Sequence, residues 1–166
     1  MPPAVLTMRR AWPADAETIA RTVGLGVETW RAFAPAGWTP RTHAQGVAFA
    51  RETLSAPSGW AVLALVDGEP AGHFAMAAGS WDEPRAAELR SLFVRPRWFG
   101  TGLADRLHEA FVAAAYERAY PWAWLSTPAG NARARRFYER RGWRADTLVD
   151  SHYGMPWAIY GRSLLP

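Results

Sequence analysis

The stretch LFVRPRWFGTGLADRLHEA, residues 92–110, passes from apolar strand formers through Pro96 to Gly100 and Gly102, then takes up a helical rhythm. Leu103, Leu107, Ala110, Phe111 and Ala114 fall at i, i+4, i+7, i+8 and i+11, one apolar stripe of a helix. The glycines therefore stand where a strand hands over to a helix. Unpaired N–H groups and the positive end of the peptide dipole collect at such a start, and glycine has no Cβ to hold an anion off. The chemistry predicted is a phosphate cradle, with an ordinary strand-to-helix turn as the plain alternative.

A second constellation is NARARRFYERRGW, residues 131–143. Ala134, Phe137, Tyr138 and Arg141 fall at i, i+3, i+4 and i+7, which presents a tyrosine hydroxyl beside a packed Ala/Phe face. A core pair with its hydroxyl reaching surface water satisfies the same spacing. Arg133, Arg136 and Arg140 share another stripe, either an anion contact or a solvated basic face. Period-two geometry sets Glu88, Arg90, Leu92 and Val94 on one side of a strand, so Arg90 is expected to pair with Glu88 and keep it ionised. Glu28 and the Asp82-Glu83 pair read as attractors for a cation or as plain surface charges. Trp30, Phe33, Trp38 and Trp81 form an aromatic set that reads as a binding pocket, core plugs or a homodimer contact. His43, His73, His108 and His152 lack metal-ligand spacing, and packing or exposure is the expectation for each.

Those groups need a framework. The pattern predicts a strand over 5–10, a helix over 14–23 interrupted by Gly24 and Gly26, and an aromatic segment over 27–40 that forms a short helix with a loop or a cover. A helix over 42–54 starts at the cap Thr42, and strands over 60–66 and 70–80 flank the Asp67-Gly68 hairpin turn. A strand over 86–94 leads into the glycine turn and its helix, which ends near Tyr120-Pro121. Then follow a strand over 122–126, a helix over 132–141 ended by Gly142, and strands over 143–149 and 156–164. The order is β-α-α-β-β-β-α-β-α-β-β, without internal repeats.

Composition narrows the options. The 166 residues suit one domain, 1–166, with a core that needs neither metal nor disulfide, and 49% hydrophobic with 20% charged residues is globular. No apolar stretch approaches the roughly 18 to 20 residues of a membrane span, and MPPAVLTMRR does not read as a secretory signal. With no cysteine there is no disulfide, thiolate metal site or cysteine nucleophile, which suits the cytoplasm. The net charge of +4 comes from 19 arginines and no lysine, which excludes a Walker phosphate loop. The arginines are dispersed and no nucleic-acid-binding pattern accompanies them, so nucleic acid is not the expected partner.

Element order and glycine turn together resemble the GCN5-related N-acetyltransferase (GNAT) superfamily over essentially the whole chain. The turn is similar to that family's acetyl-CoA signature, Gln/Arg-x-x-Gly-x-Gly/Ala. Arg97-Trp98-Phe99-Gly100-Thr101-Gly102 satisfies it literally; the frame preferred here is Phe99-Gly100-Thr101-Gly102-Leu103-Ala104, which puts small Ala104 inside the helix. Phe99 then occupies the Gln/Arg place, and Arg97 stands two residues earlier to supply a side-chain contact. Residues 131–143 resemble the family's Asn-x-x-Ala-x-x-Phe-Tyr-x-x-x-Gly-Phe segment.

The resemblance implies an α+β fold with a mixed sheet of about seven strands and direct acetyl transfer from acetyl-CoA to an amine of a small molecule or peptide, without metal. It implies CoA contacts at Phe93, Val94, Phe99, Gly100, Thr101, Gly102, Leu103, Ala104, Asn131 and Arg136. It further implies Tyr138 beside the thioester sulfur, Glu88 as base, and acceptor contacts at Glu28, Trp30, Trp38 and Trp81. A CoA-binding sensor on the same fold is the alternative.

Overall fold

The computed structural model describes residues 3–79, 85–150 and 154–166. Its elements are β1 (Leu6–Arg10), α1 (Ala16–Glu28), α2 (His43–Ser55), β2 (Trp60–Val66), β3 (Glu69–Gly79), β4 (Ala86–Val94), α3 (Leu103–Glu117), β5 (Trp122–Pro128), α4 (Ala132–Glu139), β6 (Arg144–Asp150) and β7 (Pro156–Ser163). The strands make one seven-stranded mixed sheet in the order β1-β2-β3-β4-β5-β7-β6, the expected α+β architecture.

Apolar residues cover the sheet on both faces. Phe74, Met76 and Leu89 meet Leu107 and Phe111 of α3, while Leu63 and Ala75 meet Ile19 and Ala50 of α1 and α2. Burial from both sides makes β3 buried from Ala71 through Ala77 without alternation. The β2–β3 hairpin turns on Asp67 and Gly68, whose φ angles of 51° and 81° are the left-handed pair that a two-residue turn requires. Thr42 caps α2, its hydroxyl accepting from the Gln45 N–H while the Gln45 side chain returns to the Thr42 N–H.

Two expectations need correction. The first helix is not interrupted at Gly24 and Gly26; α1 continues to Glu28. Gly26 is there for close approach, because a Cβ would stand 2.3 Å from Cδ1 of Phe93 on β4. The second correction concerns β4, where Ala75 pairs with Ser91 and Met76 with Leu89, leaving Arg90 as a bulge. Strict alternation fails there. Leu89, Leu92 and Val94 pack toward α3, whereas Glu88, Arg90, Ser91 and Phe93 lie on the α1/α2 face, so Leu92 and Val94 are opposite Glu88. The 27–40 segment contains a short 3-10 turn, Thr29–Ala32, after α1.

Candidate active site

The parallel pairing of β4 with β5 ends almost where it starts. Only Ala86, Ala87 and Glu88 find partners, at Trp122, Ala123 and Trp124, and beyond them the strands diverge. A cavity of about 390 Å³ opens beside this divergence. Leu92, Phe93 and Val94 from β4 form one wall, Phe99, Gly100, Gly102, Leu103 and Ala104 a second, and Asn131, Arg136 and Tyr138 from the α4 region a third. Trp30 joins them from the turn after α1.

The glycine turn has the backbone that its sequence suggests. Gly100 and Gly102 have φ of +76° and +82°, and Gly102 is the N-cap of α3. An added Cβ at either would meet no protein atom within 4 Å, so the space above the turn is open to a ligand. Backbone N–H groups at the start of a 15-residue helix face that space without a side-chain cap. This donor set fits a diphosphate. Thr101 does not line the cavity; its hydroxyl donates to the Trp98 carbonyl at 2.7 Å and fastens the turn.

The α4 wall is held from several directions. Asn131 Oδ1 accepts from the Ala134 N–H at 3.2 Å, capping α4 and leaving the Asn131 amide N–H groups for other partners. Arg141 forms an ion pair with Asp105 of α3, donates to the Phe137 carbonyl and lies over the Phe137 ring. Behind Tyr138, the Trp143 indole donates to Nε2 of buried His108 at 2.9 Å. Burial, with a smaller contribution from Arg162, lowers the His108 pKa to about 4, so the ring stays neutral and accepts. Tyr138 packs edge-on against Phe137 and Trp143, and burial raises its phenol well above the ordinary value. Its hydroxyl makes no hydrogen bond among the described residues.

Other sequence candidates lie apart. Glu88 is the last residue of β4 paired with β5 and is not part of the cavity wall. Its carboxylate meets Arg90 at 3.2 Å, and Arg90 also reaches the Thr53 hydroxyl. The pairing is as expected and Arg90 favours the ionised form, but burial outweighs its charge and hydrogen bond and raises the Glu88 pKa. Arg97 meets Glu69 at 3.0 Å and does not line the cavity. Glu28 is exposed and paired with Arg31. Trp38 is outside the cavity wall but packs against Trp30, which also meets Phe33, Phe93 and Trp157. Trp81, Asp82, Glu83 and His152 lie outside the described residues.

His43 pairs with exposed Glu17 at 3.1 Å, while buried His73 meets the Ser91 hydroxyl at 2.9 Å. Burial, aided by Arg95, lowers the His73 pKa to about 3. Among the described residues, no group of three or more His, Cys, Asp or Glu is disposed to hold a metal. No described helix is long and apolar enough to cross a membrane.

The profile of the acetyltransferase (GNAT) family matches residues 26–143, which spans the glycine turn, the divergent strands and α4. The chain belongs to the GNAT family. As a GNAT acetyltransferase it is an acyltransferase. An uncharacterized N-acetyltransferase of Archaeoglobus fulgidus is 29% identical over 129 residues, covering 75% of this chain and 86% of the relative. A Desulfovibrio desulfuricans protein assigned to the GNAT family superposes with a TM-score of 0.76 at 23% identity, covering 97% of this chain and 100% of the other. The PaiA N-acetyltransferase of Thermoplasma acidophilum, solved with coenzyme A, gives 0.69 at 14% identity, covering 96% and 99%. At these identities the structural matches speak for the GNAT fold alone.

Sequence reasoning missed several residues of the GNAT cavity wall, among them Gly26, Thr29, Trp98, Asp105, Arg141 and Phe137 as a lining residue. A helix stripe shows which residues share a face but not what faces them. The Arg141–Asp105 pair joins α4 to α3 across 36 positions of sequence, beyond any local pattern.

Proposed function

We propose that the chain acts as one acetyltransferase domain, moving an acetyl group from acetyl-CoA to an amine of a small molecule or peptide. The observation that carries this reading is the meeting, around one cavity, of an open glycine turn at a helix start, the edge of β4 that has left β5, and Tyr138. In this reading the N–H groups at Gly100 to Ala104, with Thr101 bracing the turn, hold the diphosphate of CoA, while Asn131 and Arg136 border the rest of that molecule. Phe93 and Val94 flank the acyl end. Acetyl-CoA supplies the activated acyl group as a thioester.

The amine nitrogen attacks the acyl carbon directly; an amide bond forms, the C–S bond breaks and the sulfur leaves with the electron pair. Main-chain N–H groups near Val94 polarise the acyl oxygen. Tyr138, its pKa raised by burial, keeps its proton and stabilises the leaving sulfur by a hydrogen bond rather than by complete proton transfer. Glu88 takes the amine proton, directly or through water, and its raised pKa makes it a better base than an exposed carboxylate. The need for a base depends on the acceptor. An alkylamine with a pKa near 10.4 costs about 4 to 5 kcal/mol to deprotonate at pH 7, and an α-amine near 7.8 about 1. Trp30 and Trp38, with Glu28 and Trp81, form the acceptor side of this reading.

Thiol release from acetyl-CoA by the purified protein, measured across alkylamines, arylamines, amino acids and peptides, tests the proposal. Amine-dependent release is expected, falling about tenfold or more in Tyr138→Phe. Saturable CoA binding without release for any acceptor favours a sensor and counts against the enzyme reading.

A further inference from the structure

One contact joins two walls of the cavity. Arg133, in the first turn of α4, sets its guanidinium 4.0 Å from the ring centroid of Phe99, the residue immediately before Gly100. Both residues line the cavity together with Gly100 and Gly102. The neighbouring cations differ: Arg97 is drawn to Glu69 outside the cavity, and Arg141 is engaged by Asp105 and the Phe137 carbonyl. Arg136 and Arg140 line the cavity, but no ring or carboxylate fixes either guanidinium among the described residues.

A guanidinium held over an aromatic ring spends none of its N–H donors on a carboxylate, so they stay available to oxygen ligands. Holding that charge in position before binding lowers the ordering cost that a free arginine incurs. An arginine held in this way beside helix-start N–H groups is therefore suited to phosphoryl oxygens, which accept bidentate hydrogen bonds. We propose that Arg133, held by the Phe99 ring, is the guanidinium that receives phosphoryl oxygens of CoA beside the glycine turn. The assignment rests on the cofactor reading above and adds which arginine serves and what positions it. Arg133 supplies the cation from α4, across the cavity from the turn that supplies the amides.

Calorimetric titration of the full chain with CoA and with dephospho-CoA, which lacks the 3′-phosphate, separates the two phosphate sources. Arg133→Ala is expected to weaken CoA binding about 10- to 100-fold, the loss of a charge-assisted hydrogen bond. Arg133→Lys, which keeps charge but not the planar fork, and Phe99→Leu, which keeps apolar filling but not the ring, should each lose several-fold. A loss shared by CoA and dephospho-CoA assigns the contact to the diphosphate, and a loss confined to CoA assigns it to the 3′-phosphate; either supports the proposal. Unchanged CoA affinity in Arg133→Ala overturns it while leaving the enzyme reading intact. A wild-type chain that binds no CoA overturns the cofactor reading itself.

Discussion

On one edge β4 is paired with β3 from Ala86 to Val94, with only Arg90 bulged out, whereas on the other it meets β5 at Ala86, Ala87 and Glu88 alone. The two edges belong to one strand, so its own sequence does not explain the difference. On the paired side, small residues let neighbours come close: a Cβ at Gly72 would meet the Phe93 carbonyl at 2.8 Å and Leu107 of α3 at 3.0 Å. On the open side, N–H and C=O groups that leave the ladder need other partners, because unpaired buried backbone is costly. The closed edge joins β4 to the sheet along its length, and the open edge leaves backbone groups that a completed ladder would consume.

Closing space on the paired edge should produce the largest change. Gly72→Val forces backbone rather than a flexible side chain to move, and a loss of about 3 kcal/mol is expected, seen as a melting temperature lower by roughly 6 to 12 °C. Gly102→Val acts at the other edge. The φ of +82° strains any branched residue, by about 1 to 3 kcal/mol, and its Cβ fills the open space above the turn. CoA affinity should fall while the melting temperature drops less than in Gly72→Val; a normal Kd would count against the cradle.

Glu88 sits where the two edges begin to differ, so Glu88→Gln sharpens the comparison. A carboxylate base must be ionised, so the rate of acetyl transfer should fall up to about tenfold per pH unit as pH drops through its raised pKa. The Gln variant should lose that limb of the pH–rate profile, and an unaltered profile would reject Glu88 as base. The last test concerns the support behind the open side, which matters only at acid pH. His108 is held neutral, with a folded pKa of about 4 against about 6.5 unfolded. The unfolded chain therefore binds the extra proton between those values. Stability present above pH 6.5 is lost as pH falls toward 4, at up to about 1.4 kcal/mol per pH unit. His108→Gln should flatten that part of a denaturation-against-pH series.

Local signals predict local structure well in this chain. Strand 60–66, strand 86–94, the Asp67-Gly68 turn and the Thr42 cap all agree with sequence, because turn chemistry and capping depend on neighbouring residues. The open glycine turn was legible for the same reason. What failed depends on contacts distant in sequence. Gly24 and Gly26 look like helix breakers until Phe93 is seen against α1, and the bulge at Arg90 leaves no mark in a period-two pattern. The Phe99–Arg133 contact and the Arg141–Asp105 pair likewise depend on how α4 approaches α3.

The contact of Gly26 with Phe93 has a mechanical consequence. It sets α1 against β4 two residues before the helix ends, at a separation that any side chain at position 26 would widen. Trp30, in the Thr29–Ala32 turn that follows, is carried to the same ring, its centroid 6.3 Å from that of Phe93. One missing side chain thus works as a spacer gauge: it fixes how closely the aromatic segment meets the β4 wall of the cavity.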